Sequence, residues 1–202
     1  ITDRKLAEID RERIQAELAY RSNHDAVTAL ERYSMLQPRL DAMISSGTGA
    51  VSLLVVDIDG FQGINESMGH ERADRVLRVV ADRLQTWASD TVSISHLAGD
   101  EFAIAVAGSD EPSVLALAEE LRAAIAAPID DSGFHLVLSA TVGVSHAGVH
   151  GMTSTELLRR AQAAKERGKD QGGDCVSVFL TEQMQAIEDR MTLGGLLRSA
   201  TR

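Results

Sequence analysis

Residues 50–57 read AVSLLVVD, a run in which every position before the final acid is aliphatic or small. A stretch with no polar face is expected as a strand covered on both sides. It implies the centre of a sheet with helices packed on its two faces. Around it the periodicity is helical. Val76, Leu77, Val80, Ala81, Leu84 and Trp87 recur at helical spacing from about Ala73 to Ala88. Two short strands follow, Thr91–Leu97 and Glu101–Ala107, separated by Ala98-Gly99-Asp100, which reads as a hairpin. A helix over Pro112–Ala127 has proline in its first turn. One long strand is expected over Phe134–Ser145.

The order is β-α-β-β-α-β, the split βαβ or ferredoxin-like arrangement, and the fold class is α+β. A further helix (Ser154–Arg167) and strand (Cys175–Leu180) extend it, and residues 181–202 read as helical until Gly194-Gly195. Ahead of the sheet lie a helix over about Ser34–Ser45 and a polar helix over residues 1–22. The polar helix carries two weak apolar stripes, Leu6, Ile9, Ala16 and Tyr20 on one side and Ala7, Ile14 and Leu18 on another. Loose heptads of this sort either pair with a second copy or pack on their own domain.

Composition narrows the partners. The formal charge of −10 argues against nucleic acid or an anionic membrane surface. An anionic ligand such as a nucleotide would need a divalent cation with it. No apolar run approaches the ~20 residues that cross a bilayer, so no membrane insertion is expected. Apolar residues make up 44% of the chain, enough for a core, and with 3% aromatics that core must be aliphatic. The lone Cys175 forms no intrachain disulfide, which fits a cytoplasmic setting. The chain begins at Ile1 rather than Met, and reads as a fragment of a longer protein.

Two places carry chemistry. Asp57-Ile58-Asp59 closes the buried strand, where carboxylates and a backbone carbonyl can hold Mg²⁺. An isolated pair of this kind is more often a strand end and turn former. In Ala98-Gly99-Asp100-Glu101-Phe102 two acids sit on a tight hairpin, with Gly99 giving the backbone freedom a close ligand requires. In a βαββαβ sheet the first and third strands are usually neighbours, so Asp57 and Asp100 are expected to converge.

In order and spacing, DIDxF-x2-IN, GH-x3-D and the AGDEF hairpin resemble the GGDEF diguanylate cyclase family most closely over residues 53–106, and more weakly from about Asp25 to Phe179. His24-Asp25-Ala26-Val27-Thr28-Ala29-Leu30 resembles that family's opening motif. The resemblance implies a nucleotidyl-cyclase palm that joins two GTP molecules, one per subunit of a face-to-face homodimer, into cyclic di-GMP and two pyrophosphates. It implies Mg²⁺ (or Mn²⁺) held by Asp57, the carbonyl of Ile58 and Asp100. Glu101 would lie near the attacking hydroxyl, assisting metal binding or proton removal. Gly60, Phe61, Asn65, His70, Asp74, Gly99 and Lys169 would contact the nucleotide, with Asn65 and Asp74 reading guanine. Loop and helix capping is the plain alternative for Asn65 and His70.

The chain departs from the family at several phosphate-contacting positions. Gln62 stands where Lys is usual, His96 where Arg is usual, and Ala98 replaces the first glycine. Late in the domain the family has Lys with Arg four residues on. An ungapped alignment, preferred because it keeps Val176, Val178 and Phe179 in register, puts Lys169 and Gly173 there; a gapped one puts Lys165 and Lys169. Such losses imply reduced activity, or a GTP-binding regulatory domain that controls an adjacent phosphodiesterase without turnover. Ser89 and Val92 replace the family's product-inhibition Arg and Asp. Residues 1–5 resemble the exit from a PAS sensor domain and residues 191–202 the linker into an EAL phosphodiesterase domain. The expected division is therefore 1–24 linker helix, 25–180 GGDEF domain and 181–202 linker helix.

Overall fold

The structure is a computed structural model that describes residues 3–47, 49–131, 134–147 and 152–180. Its described elements are α1 (Asp3–Asn23), α2 (Tyr33–Ser46), β1 (Val51–Ile58), α3 (Phe61–Met68), α4 (His70–Gln85), β2 (Val92–Ala98), β3 (Glu101–Ala107), α5 (Glu111–Ala126), β4 (Ile129–Asp131), β5 (Phe134–Leu136), β6 (Ala140–His146), α6 (Ser154–Asp170) and β7 (Val176–Val178). Five strands form one sheet in the order β2-β3-β1-β6-β7, and β4 pairs with β5 alone.

β1 is the middle strand, as its apolar run requires, and all eight of its residues are buried. It pairs antiparallel with β3 and β6, while β7 runs parallel to β6. Alternation along the strands divides the core into two layers. Leu54, Val56 and Ile58 of β1 join Phe102, Ile104 and Val106 of β3 beneath α4 and α5. Leu53, Ala103 and Ala105 point the other way, toward Leu36 and Leu40 of α2 and Leu157 of α6.

Both layers are pinned by polar contacts. Arg83 near the end of α4 donates to the carbonyls of Ala124, Ile125 and Ala127 at 3.1, 3.1 and 2.5 Å, satisfying the last turn of α5. Asp41 of α2 accepts from the Ser154 amide at 2.8 Å, capping the start of α6.

Four expectations need correction. The helix expected over Ala73–Ala88 begins at His70, and a separate short helix, α3, precedes it. Gly69, at φ 79°, separates the two, so their axes need not be continuous. The single strand expected over Phe134–Ser145 is interrupted at residues 137–139, leaving β5 in a hairpin with β4 and β6 in the main sheet. Past the interruption the chain is tied back to the end of β1: the Asp59 amide donates to the Ser139 carbonyl, and Ser139 Oγ donates to Asp59 Oδ2, both at 2.9 Å. The last strand covers only Val176–Val178, and α6 runs to Asp170 rather than Arg167.

On α1, Ile14, Leu18 and Tyr20 are more than half exposed. The other stripe residues, Leu6, Ala7, Ile9 and Ala16, and the helix expected in residues 181–202, lie outside the described side chains and residues.

Candidate active site at the ends of the first and third strands

Register places Asp57, near the end of β1, opposite Glu101, the first residue of β3. Asp100 precedes Glu101 in the two-residue turn from β2. Gly99, the first central residue of that turn, has φ +59°, which a tight hairpin demands and glycine adopts freely. A register shift between His96 and Ala98 marks a bulge just before the turn. Bulges of this kind twist a strand end and re-aim its side chains. The expected convergence of Asp57, Asp100 and Glu101 at one end of the sheet is therefore seen.

Two lysines of α6, one helical turn apart, face these acids. Lys165 is buried, its Nζ 3.2 Å from Asp57 Oδ2, 2.5 Å from Glu101 Oε1 and 2.7 Å from Glu166 Oε1. Lys169 pairs with Asp57 Oδ1, an oxygen that accepts no aligned hydrogen bond. Burial alone would push the Lys165 ammonium down. Its hydrogen bonds to Glu101 and Glu166, with the charges of Glu101 and Asp57, instead hold it above the ordinary lysine range. Asp100 shows the complementary effect: burial first, then the Asp57 carboxylate, push its carboxyl above the usual range. Carboxylates crowded enough to oppose one another's ionisation are a receptor for positive charge.

The oxygen donors also suit a hard divalent cation. Mg²⁺ is commonly held by one or two carboxylates plus ligand phosphates, keeping its remaining positions for water. Among the described residues no three His, Cys, Asp or Glu side chains form a ready cage. Two carboxylates and a backbone carbonyl fit the open kind of site that a nucleotide completes.

Removing Lys165 should be costly, because Glu101 would then face Asp57 with only the less buried Lys169, paired with the other Asp57 oxygen, as counter-ion. For Lys165→Gln in metal-free buffer, we expect a loss of about 3 kcal/mol, as when one member of a buried pair is deleted. Thermal unfolding with and without Mg²⁺ checks this. The variant should regain more stability from the cation than the natural chain does.

The second acid of Asp57-Ile58-Asp59 has a different task. Asp59 accepts from Ser139 Oγ at 2.9 Å, Thr141 Oγ1 at 2.7 Å and the Asp174 amide at 2.9 Å. It ties the start of β6 and the turn after α6 to the end of β1. Gly173 lies in that turn at φ +73°, against the Asp59 carboxylate, and is far better suited to the turn than a side chain would be. The pairing of cations with acids therefore favours the gapped alignment, with Lys165 and Lys169 as the two late cations. Lys165 was the functional candidate the preferred alignment missed. Its i, i+4 spacing from Lys169 was the available signal.

The remaining candidates lie on α3 and α4. Gly60 takes a left-handed conformation at the start of α3, and the Phe61 side chain enters the core. The Asn65 side-chain oxygen is buried with no hydrogen-bond partner, an acceptor left over by the fold. Asp74 is partly buried on α4, and His70 is exposed at its start. Gln62 donates to Glu66 at 2.8 Å on the surface of α3 and brings no charge.

The profile of the diguanylate cyclase, GGDEF domain family matches residues 22–175. The chain belongs to the GGDEF family. A signalling protein of Caulobacter vibrioides is 34% identical to this GGDEF chain over 196 residues, covering 93% of this chain and 24% of its own. MucR of Pseudomonas aeruginosa, a bifunctional diguanylate cyclase/cyclic di-GMP phosphodiesterase, is 31% identical over 91% of this chain and 28% of its own. The chain thus spans about a quarter of the length of these curated relatives. Among solved structures, a sensory box/GGDEF family protein from Caulobacter crescentus superposes with TM-score 0.68 at 34% identity, covering 74% of this chain and 99% of that one. The coiled coil and GGDEF domain of DgcB from Caulobacter crescentus gives TM-score 0.77 at 24% identity, covering 86% and 95%, a likeness of fold. No helix among the described residues of this GGDEF domain is long and apolar enough to cross a membrane.

Proposed function

We propose that the domain is a diguanylate cyclase. In this reading two GTP molecules, one on each subunit of a homodimer, are condensed into cyclic di-GMP. Each 3′-hydroxyl oxygen attacks the α-phosphorus of the other nucleotide, the bond to the bridging oxygen breaks, and pyrophosphate leaves with the electron pair. The observation that carries the reading is the meeting of Asp57, Asp100 and Glu101 with Lys165 and Lys169.

Asp57, the Ile58 carbonyl and Asp100 would hold Mg²⁺ or Mn²⁺. When bound, the cation neutralises the phosphates and stabilises the charge on attacking and leaving oxygens. Glu101, released from Lys165 when the triphosphate draws that lysine away, receives or steers the proton of the attacking hydroxyl. Lys165 and Lys169 hold phosphate oxygens, each contact worth ~1.5–3 kcal/mol. Asn65 and Asp74 read the guanine edge; a carboxylate accepting two N–H donors selects guanine over adenine. The unused Asn65 acceptor supports that role.

A second reading is a GTP-binding regulatory domain without turnover, joined to an EAL phosphodiesterase domain and preceded by a PAS sensor. Gln62 favours it, since it brings no charge where the family has a lysine. Both readings place residues 1–24 and 181–202 as linkers around a domain of residues 25–180, in the cytoplasm.

Purified protein incubated with GTP and Mg²⁺ should yield cyclic di-GMP and pyrophosphate, resolved by chromatography. Recovery of all GTP at high protein concentration, together with a metal-dependent binding isotherm, would select the regulatory reading.

A further inference from the structure

Each carboxylate oxygen of Asp57 is matched with a lysine, and the two matches differ in kind. Lys165 donates to Oδ2 at 3.2 Å and to Glu101 Oε1 at 2.5 Å, and its Nζ lies 2.7 Å from Glu166 Oε1. Its three N–H donors thus face three carboxylates, and only 5% of the side chain is exposed. Lys169 pairs with Oδ1, a buried oxygen that receives no aligned hydrogen bond, so charge alone holds the pair together. The Lys169 side chain is 32% exposed and belongs to the last turn of α6. We propose that Lys169 keeps the place of the divalent cation. It neutralises Asp57 Oδ1 in the free domain, yields that oxygen when the cation binds, and moves to the triphosphate, so that cation and nucleotide strengthen each other's binding.

The charges around Lys169 support this exchange. Burial and then the Asp57 charge push the Asp100 carboxyl up, and the Lys169 charge counteracts them. Its ammonium therefore serves the same two carboxylates assigned above to the cation. Among the described residues at this end of the sheet, the carboxylates of Asp57, Asp100, Glu101 and Glu166 outnumber the ammonium groups of Lys165 and Lys169. A cation arriving alone must take Asp57 Oδ1 from Lys169 and leave that ammonium without its partner. A triphosphate arriving alone meets an excess of carboxylate. When both arrive, the lysine exchanges one anion for another and no charge is left uncovered. The flexible four-carbon stem of lysine, with its rotatable donors, suits such a move. By linkage, the factor by which one ligand tightens the other is the same in both directions.

The contact with Asp57 stands on the geometry alone, whereas the exchange with a triphosphate rests on the function proposed above. A lysine that only holds phosphate would affect nucleotide affinity and leave the cation's own affinity unchanged. A lysine that keeps the cation's place affects both, in opposite directions.

The test titrates the 202-residue chain with Mn²⁺, reading the free ion by electron paramagnetic resonance. Without nucleotide, Lys169→Met should bind Mn²⁺ about tenfold more tightly than the natural chain, within the usual range for coupled sites. With a non-hydrolysable GTP analogue present the order should reverse, the natural chain holding the manganese–nucleotide complex more tightly. Equal nucleotide-free affinities for Mn²⁺ would overturn the proposal. NMR of the natural chain gives a measurement that needs no variant. The Lys169 ε-methylene signal should move as Mg²⁺ alone saturates the site, and move again when the analogue is added. A signal that stays still while Mg²⁺ binds would equally overturn the proposal. If neither protein binds the analogue, the function proposed above fails, and the nucleotide-free titrations still decide whether Lys169 yields Asp57 to the cation.

Discussion

Asp100→Ala is expected to lower Mg²⁺-dependent GTP affinity by about two orders of magnitude, the cost of losing a charged contact of ~3 kcal/mol. The fold should not suffer. The folded-state pKa of Asp100 is raised, by burial first and then by Asp57. A carboxyl raised in this way contributes most favourably below its unfolded value, and that contribution is lost as pH rises through the folded value. At neutral pH the ionised Asp100 therefore strains the metal-free domain, and alanine relieves it. The expected pattern has opposite signs, with weaker binding and equal or higher melting temperature. Calorimetric titration with a non-hydrolysable GTP analogue, alongside thermal melts, reads both. Unchanged affinity would remove Asp100 from the site.

Gly143→Ala should have a large effect on stability. A Cβ on this β6 residue would lie 2.0 Å from the Ala161 carbonyl oxygen, 2.4 Å from the Lys165 amide nitrogen and 2.7 Å from Lys165 Cβ. Two of these are backbone atoms of α6 and cannot rotate away, so the helix itself must shift. Overpacking costs typically ~1–3 kcal/mol, and a clash with helix backbone belongs at or beyond the upper end. At about 3 kcal/mol the melting temperature falls by about 6–12 °C for a domain of this size. The shift also carries Lys165 and Lys169 away from Asp57 and Glu101, so phosphate affinity should fall with stability. Gly168→Ala provides the contrast. There the nearest atoms are Thr141 Cγ2 at 2.8 Å and Cys175 Sγ at 3.0 Å, side-chain atoms that have more room to yield. A melt of Gly143→Ala equal to that of the natural chain would show that α6 can slide on the sheet.

Much of this architecture was legible in the sequence, for physical reasons. The run at residues 50–57 had no polar face, so a central strand was the simplest solution, and it is the middle strand. Strand order then brought Asp57 beside Glu101 from residues far apart in the chain. The hairpin followed from one glycine between an apolar strand and two acids. Other features were hidden because they depend on tertiary partners. Residues 134–145 have strand character throughout, and nothing in that run marks residues 137–139 as the break between the β4–β5 hairpin and the main sheet. Asp59 read only as the second acid closing the strand, and its task shows once Thr141, Ser139 and Asp174 are seen to occupy its oxygens. His96 counted as a missing phosphate cation, whereas its ring faces Asp25 and Gly99. Gly173 likewise counted as a lost cation, although the lysines at 165 and 169 supply the pair.

The account depends most on a divalent cation shared between Asp57 and Asp100. A crystal of the domain grown with Mn²⁺ and a non-hydrolysable GTP analogue tests it through anomalous scattering. We predict one manganese peak or more between the Asp57 and Asp100 carboxylates, with the triphosphate against Lys165 and Lys169. Manganese and nucleotide bound elsewhere, with Lys165 still seated between Asp57 and Glu101, would contradict it.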